Sequence, residues 1–446
     1  MLAKPKDKQQ TSFFSTFEEQ LNHHHPLYIL ANRVDWKKFE EAFKKYYSET
    51  MGAPAKPIRL MVGLLVLKHV RNLSDESVVE QWAENSYYQY FCGEEYFAAA
   101  EPCVPTELVE FRKRIGEEGV EMILKESIRI NGKDGQEEDA VTDTTVQEKN
   151  ITFPTDSKLH KKIIDKCKNI AQRENLELRQ SYTRVVKKLS LDQRFRNHPK
   201  NYGKARKADR KIKTIAGRLV RELERKLAPE NKHVPSLSLF KKVLAQKRND
   251  TQKIYSLHES HVQCISKGKE HKKYEFGSKV SIIKTKSTGV IIGAINIEKN
   301  DYDGHTLHPA LEQQQRLTGH ILKNNFVDRG YRGVTTVLGT NILTPKNYSH
   351  LNNYQKQKIR RGFRRRAAIE PVIGHLKSDY RLSRNFYKGV FGDNINVMLA
   401  AAAMNFKRMM NKWKKNPPLF IFLRWMFRFL YPLNQLSVRI QLKTTF

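Results

Sequence analysis

Three acidic residues stand where their types and spacing could do chemistry. Asp143 lies in DAVTDTTVQEKNITF, an alternating stretch rich in Val, Thr and Ile that reads as a strand. Aspartate disfavours strands, so its presence there needs a reason. Asp328 falls at the end of a short strand, just before Arg-Gly-Tyr-Arg-Gly, where glycines let a backbone approach a ligand. Ligands gather at strand ends in α/β sheets. Taken singly, either aspartate reads more readily as an edge or turn residue. Glu370 lies in RRGFRRRAAIEPVIGHLKSDYRL. At about 100° per residue, a helix through this segment puts Phe363, Arg366, Glu370 and Lys377 on one face. A carboxylate flanked by cations on one stripe suits a metal ligand beside a phosphate. Pro371 cannot donate to residue 367, so the helix is expected to kink there or to begin near Ala368.

Three oxygen-only ligands point to hard cations, Mg²⁺ or Mn²⁺. Two such ions about 4 Å apart can activate an attacking oxygen and stabilise a leaving oxygen at phosphorus. The charge of the chain agrees with a phosphate partner. It carries 81 Lys and Arg against 47 Asp and Glu over 446 residues, a formal charge of +34. Such a charge repels itself and attracts polyanions, so nucleic acid is the expected partner. With 39% hydrophobic and 10% aromatic residues, the chain can bury real cores, which argues against disorder throughout.

These acids need elements to carry them. Strands are expected at 139–151, 272–284, 288–298, 324–328 and 335–343, with a hairpin turn at Ser287-Thr288-Gly289 and helices between and after them. That order describes a mixed α/β layer with helices against a sheet. Ahead of it, residues 57–130 read as helices. Ser74 and Asp75 offer N-caps for one of them, and Thr106, after Pro105, for another. Between the first two strands, residues 158–250 hold 28 Lys and Arg against nine Asp and Glu, at helical spacing. So one-sided a charge favours a nucleic-acid-facing helical insertion over a solvated surface, with Arg206, Lys207 and Arg210 as representative contacts. The expected organisation is an N-terminal arm at 1–50 and a helical DNA-binding domain at 51–130. A catalytic domain at 138–410 follows, with the basic insertion at 158–250 inside it, and then a C-terminal amphipathic tail at 411–446.

Other readings are weaker. His258, His261 and Cys264 have zinc-like spacing but no evident fourth ligand. The triplet His23-His24-His25 precedes a proline and has no further ligand near it. The cluster YYQYFCGEEYF at 87–97 could stack on bases but suits a helical core better. Without GxxxxGK[ST], no nucleotide cofactor is indicated. Four scattered cysteines fit a reducing compartment, and MLAKPKDKQQTSFF lacks the apolar core of a signal peptide. The apolar run Leu419–Tyr431 holds Arg424 and Arg428 and is too short to span a bilayer, so no membrane is expected.

The segments TDTTVQEKNITFPTD, KYEFGSKVSII, YDGHTL, VDRGYRG and RRRAAIEPVIGHLKSDYRL resemble those of bacterial insertion-sequence transposases of the DDE class. They are most similar to the family-five branch of the insertion-sequence family-four/five superfamily. The similarity runs from about residue 50 to 410, and GLLVLKHVRNLSDE and FRKRIG resemble that family's N-terminal domain. The resemblance implies an RNase H-like core with a mixed five-stranded sheet, and Asp143, Asp328 and Glu370 as the metal triad. The superfamily signature Y-x2-R-x3-E-x6-K is met by Phe363, Arg366, Glu370 and Lys377, with Phe in place of Tyr, so the hydroxyl is missing. The ring can still stack, and Arg366 and Lys377 can hold phosphate. The resemblance further implies binding to double-stranded DNA at terminal inverted repeats, cleavage to 3′-OH ends and their joining to target DNA. A dimer in the synaptic complex and a cytoplasmic, nucleoid-associated location are implied with it. A metal-dependent nuclease, or a domesticated DNA-binding protein without strand transfer, stays open as an alternative.

Overall fold

The computed structural model describes residues 15–48, 54–247, 249–266, 272–345 and 351–415. The expected amphipathic segment at 419–431 lies outside the described residues, as do 1–14 of the arm.

Among the described residues, seven α-helices precede the sheet: α1 (Phe17–Gln20), α2 (Pro26–Arg33), α3 (Trp36–Lys44), α4 (Ile58–Val70), α5 (Asp75–Glu84), α6 (Ser86–Cys92) and α7 (Pro105–Ile130). α4 is apolar all round and is buried from Leu60 to Val70, as such a helix must be. Ser74 caps α5 as expected, its Oγ accepting the Ser77 N–H at 3.0 Å. Thr106 does not cap α7. Pro105 opens that helix, Val104 takes the cap position, and the Glu107 carboxylate accepts the Val104 N–H at 2.8 Å. Tyr88 and Phe91 are buried, so the first part of the 87–97 cluster is core, whereas Tyr96 and Phe97 are exposed.

β1 (Asp139–Lys149) follows and is central to the sheet. The insertion then forms α8 (Asp156–Arg173), α9 (Thr183–Asp192), α10 (Pro199–Lys226) and α11 (Val234–Ala245). Thr155 caps α8 through the Lys158 N–H. Ala208, Ile212, Ile215, Leu219 and Leu223 recur at helical spacing along α10 and pack on Ile163, Cys167 and Phe240, a core separate from that of the sheet.

The chain re-enters the sheet as β2 (Gln263–Ser266), β3 (Tyr274–Thr285) and β4 (Ile291–Ile297), then α12 (Leu307–Thr318), β5 (Asn324–Phe326), β6 (Thr336–Val337) and β7 (Thr340–Leu343). α13 (Asn353–Arg366), α14 (Ile369–Asp379), β8 (Arg384–Asn385) and α15 (Gly389–Lys415) complete it. Among the described residues the sheet has eight strands, in the order β2-β3-β1-β5-β7-β6, with β4 also on β3 and β8 also on β1. The expected five strands are thus too few. Two additions, β2 and β8, have four and two residues, too short for periodicity to mark. The third comes from the expected single strand at 335–343, which is a hairpin. Leu338 and Gly339 both take positive φ, 47° and 79°, which turns β6 back onto β7.

β1 runs antiparallel to β3 and parallel to β5, and β5 runs parallel to β7. α15 packs on α7, α4 and β4, so the N-terminal helices and the sheet share one hydrophobic core running from Leu27 to Trp413.

Candidate active site

β1 is buried on both sides of Asp143 and Thr144, and those two residues alone break a run of buried positions from Ala140 to Gln147. Parallel pairing sets Val141 beside Phe326. Asp143 and Asp328 each lie two residues further along, so the two acids leave neighbouring strands at the same level and on the same face. Val141 and Phe326 belong to a three-residue hydrophobic cluster with Ile369, and Phe363 and Ile373 pack against it. Ile369 directly precedes Glu370. One small core therefore seats all three acid-bearing segments. Phe326 and Phe363 meet edge to face at 5.5 Å, so the Phe363 ring serves this core.

The four signature residues do not lie on one continuous helix. α13 ends at Arg366 and α14 begins at Ile369, across Ala367 and Ala368. Both alanines keep right-handed helical angles, but the bonds across the junction are one residue tighter, from Ala368 N–H to Arg365 O and from Glu370 N–H to Ala367 O. Pro371 has no N–H to continue the α pattern. Arg366 still reaches Asp143, its Nη1 lying 3.9 Å from Oδ2. Lys377 lies 4.0 Å from Glu275, a carboxylate only 5% exposed.

Backbone donors hold the aspartates. Asp143 Oδ1 accepts the Thr144 N–H at 2.7 Å, and Asp328 Oδ1 accepts the Gly330 N–H at 2.8 Å. Glu370, in the first turn of α14, is exposed. Asp303, a fourth acid, stands with them. It accepts the Thr144 hydroxyl and the Lys279 ammonium, each at 3.0 Å. Its position within YDGHTL, just past a strand, was the signal available for it in the sequence.

The site gathers negative charge. Tyr331 is fully buried, and burial, followed by the carboxylates of Asp143, Asp303 and Asp328, holds its phenol well above the usual tyrosine range. An all-oxygen donor set with so much pooled charge fits a hard divalent cation. Among the described residues, no three His, Cys, Asp or Glu side chains stand together at metal-holding spacing.

Two of the three zinc-like residues have other partners. His261 pairs with Asp393 at 2.9 Å, and His258 with the Ser256 hydroxyl at 2.9 Å. His23 stacks on Tyr28, and His25 caps α2. Arg206, Lys207 and Arg210 are exposed on α10, far in sequence from the site helices, and Lys207 and Arg210 line a concave patch with Lys211 and Arg218. Among the described residues, no helix is long and apolar enough to cross a membrane.

Comparison with known proteins adds to this geometry. Residues 15–114 match a family profile described as a transposase domain (DUF772), and residues 249–406 match one described as a transposase DDE domain. The second match holds Asp328 and Glu370; Asp143 precedes it. The chain is 39% identical over 205 residues to an uncharacterized protein, ORF8 in the nfe locus of Rhizobium meliloti, a span of 45% of this chain and 99% of that one. No solved structure matches.

Proposed function

The chain belongs to the transposases that carry a DDE domain, and from that premise we propose that it cleaves DNA at the ends of an insertion sequence and joins the freed 3′-OH ends to target DNA. The RNase H-like core that such a domain implies fits the mixed sheet, with Asp143 on its central strand. The family-five branch remains part of this proposal. The observation that carries the reading is the shared seat of the acid-bearing segments: Val141, Phe326 and Ile369, each one or two residues before Asp143, Asp328 or Glu370, pack into one cluster.

In this reading Asp143, Asp328 and Glu370 hold Mg²⁺ or Mn²⁺, with two ions expected. The ions supply Lewis-acid stabilisation of charge at phosphorus and lower the pKa of water. Thr144 and Gly330 fix one oxygen of each aspartate through their N–H groups, which orients the other. Arg366, beside Asp143, holds the non-bridging oxygens of the scissile phosphate, and a planar guanidinium suits that task. Lys377, about 10 Å along the axis from Glu370, takes the phosphate of a neighbouring nucleotide as a point charge. Cleavage and joining are both in-line displacements at phosphorus, so one site serves both. The exposed cations of α10 hold duplex DNA at a distance from the acids, and a dimer brings two ends together.

The test is a set of near-isosteric changes. Asp143→Asn, Asp328→Asn and Glu370→Gln should each abolish cleavage while end binding measured by gel shift persists. Near-parental cleavage by any one of them removes that residue from the site. A joining assay with 3′-OH donor ends separates a transposase from a nuclease that releases DNA and joins nothing.

A further inference from the structure

Asp303 has a definite place between two of the acids. Its Oδ1 takes the Thr144 hydroxyl, and Thr144 is the residue after Asp143. Its Oδ2 lies against Gly330, where a Cβ would stand 3.1 Å from it and 2.9 Å from Asp328 Oδ1. Two carboxylates thus flank one glycine, and a side chain at that position would wedge them apart. Lys279, on β3, places its ammonium 3.0 Å from Asp303 Oδ1 and also donates to the Asp301 carbonyl. The Tyr331 ring fills the space beneath. Its hydroxyl is fully buried and makes no hydrogen bond of good geometry, with the Thr306 hydroxyl as its polar neighbour. Thr306 in turn donates to the Asp303 carbonyl at 2.7 Å.

Packing needs alone do not account for this arrangement. A carboxylate is not required to hold a threonine hydroxyl beside a buried phenol, because a neutral amide accepts the same bond. Placing a third negative charge next to Asp143 and Asp328 adds to their repulsion, and Lys279 with Arg366 offsets two of the three charges. The arrangement is favourable overall when a cation joins it.

We propose that Asp303 is an anionic positioning residue of the cation site, spacing Asp143 from the Asp328 turn through Thr144 and Gly330 and adding its charge to their pull on a divalent ion, with Lys279 as the internal cation that tempers this pull. The inference rests on the reading of Asp143 and Asp328 as metal ligands. Asp303 and Lys279 then act on ion affinity with opposite signs. Removing one nearby negative charge should weaken cation binding roughly tenfold, and removing the nearby positive charge should strengthen it.

The experiment follows thermal unfolding of the full-length protein, free of DNA, as Mn²⁺ is added. Metal that binds only the folded state raises the midpoint in proportion to its occupancy, and so reports affinity without any turnover. Asp303→Asn keeps an acceptor for Thr144, so its metal-free midpoint should stay within a few degrees of the parent while the Mn²⁺ concentration for half-maximal stabilisation rises roughly tenfold. Lys279→Gln should lower that concentration. If both variants leave the Mn²⁺ response unchanged, or shift it in the same direction, Asp303 is a structural residue and the inference is wrong. Asp143→Asn serves as the reference and should abolish the response. If it does not, the metal-ligand reading itself fails, and this inference with it.

Discussion

One oxygen of Asp143 is fixed by a backbone N–H while the other faces a guanidinium, so the side chain has little freedom left before any ligand arrives. Asp328 is likewise fixed by Gly330, whereas Glu370 is exposed at the start of its helix. Of the three acids, Glu370 is the one to which solvent has the freest access. A different residue contributes to the pH response of the fold. His69, on α4, is fully buried and bonded to the Leu65 carbonyl at 3.2 Å. Burial, with the Lys68 ammonium acting the same way, pushes its imidazole down to about 3. The unfolded chain takes up that proton near 6.5, so the stability from burying neutral His69 is fully present above 6.5 and is lost as pH falls from there toward 3. The folding equilibrium should weaken by about tenfold per pH unit in that window. Urea unfolding at pH 7 and pH 5 measures it. In His69→Gln this part of the slope should vanish, and an unchanged slope would assign the acid loss to other groups.

At the scale of elements, the site depends on how closely α13 approaches β5. Gly362 makes that approach possible, because a Cβ there would lie 2.1 Å from the Phe326 ring. Gly362→Ala therefore has to move Phe326 or lift the helix, and overpacking of this kind costs about 1–3 kcal/mol. Phe326 precedes Asp328 by two residues and Arg366 follows Gly362 by four, so the shift passes to both. Cleavage should fall at least tenfold, with a smaller loss of end binding, in a comparison of single-turnover rates and gel-shift affinities. Equal rates would mean that the α13 seat does not set the site. The break after Arg366 belongs to the same account. It separates the helix that presents arginines from the one that presents Glu370 and Lys377, so each can seat independently on the Val141, Phe326 and Ile369 cluster.

Across the whole molecule, one core unites the N-terminal helices with the sheet, and a second belongs to α8–α11 alone. The boundary expected near residue 130 is therefore not a boundary between cores, since α15 packs on α4, α7 and β4 together. The insertion, by contrast, presents an exposed basic face on a helix whose opposite face is buried. Neither family profile extends over residues 115–248, so the insertion contributes outside both matches. If its cations neutralise phosphates, the log–log salt slope of DNA binding should flatten by about 0.9 for each phosphate no longer neutralised. Replacing Arg206, Lys207 and Arg210 with Gln should flatten it by roughly 2 to 3 in fluorescence-anisotropy titrations across salt. An unchanged slope would make this face a solvated surface or a docking face for protein.

Much of this was legible in the residues themselves. Strand alternation located β1 around Asp143, Ser74 marked the start of α5, and Ser287-Thr288-Gly289 marked the turn between β3 and β4. The charge excess of 158–250 separated the insertion from its surroundings. These features reside in neighbouring residues, where backbone bonding and side-chain period are set over a few positions. Short β2 and β8 carry too few residues for a period, and a hairpin through Leu338-Gly339 reads as a single strand because its turn lacks the usual Asn or Asp. The relation of Asp303 to Thr144, of Gly362 to Phe326 and of Arg366 to Asp143 came only with the tertiary structure. Each joins residues between 36 and 223 positions apart, and nothing in the local chain encodes such a meeting. It is decided by which apolar side chains pack against each other, here Val141, Phe326 and Ile369.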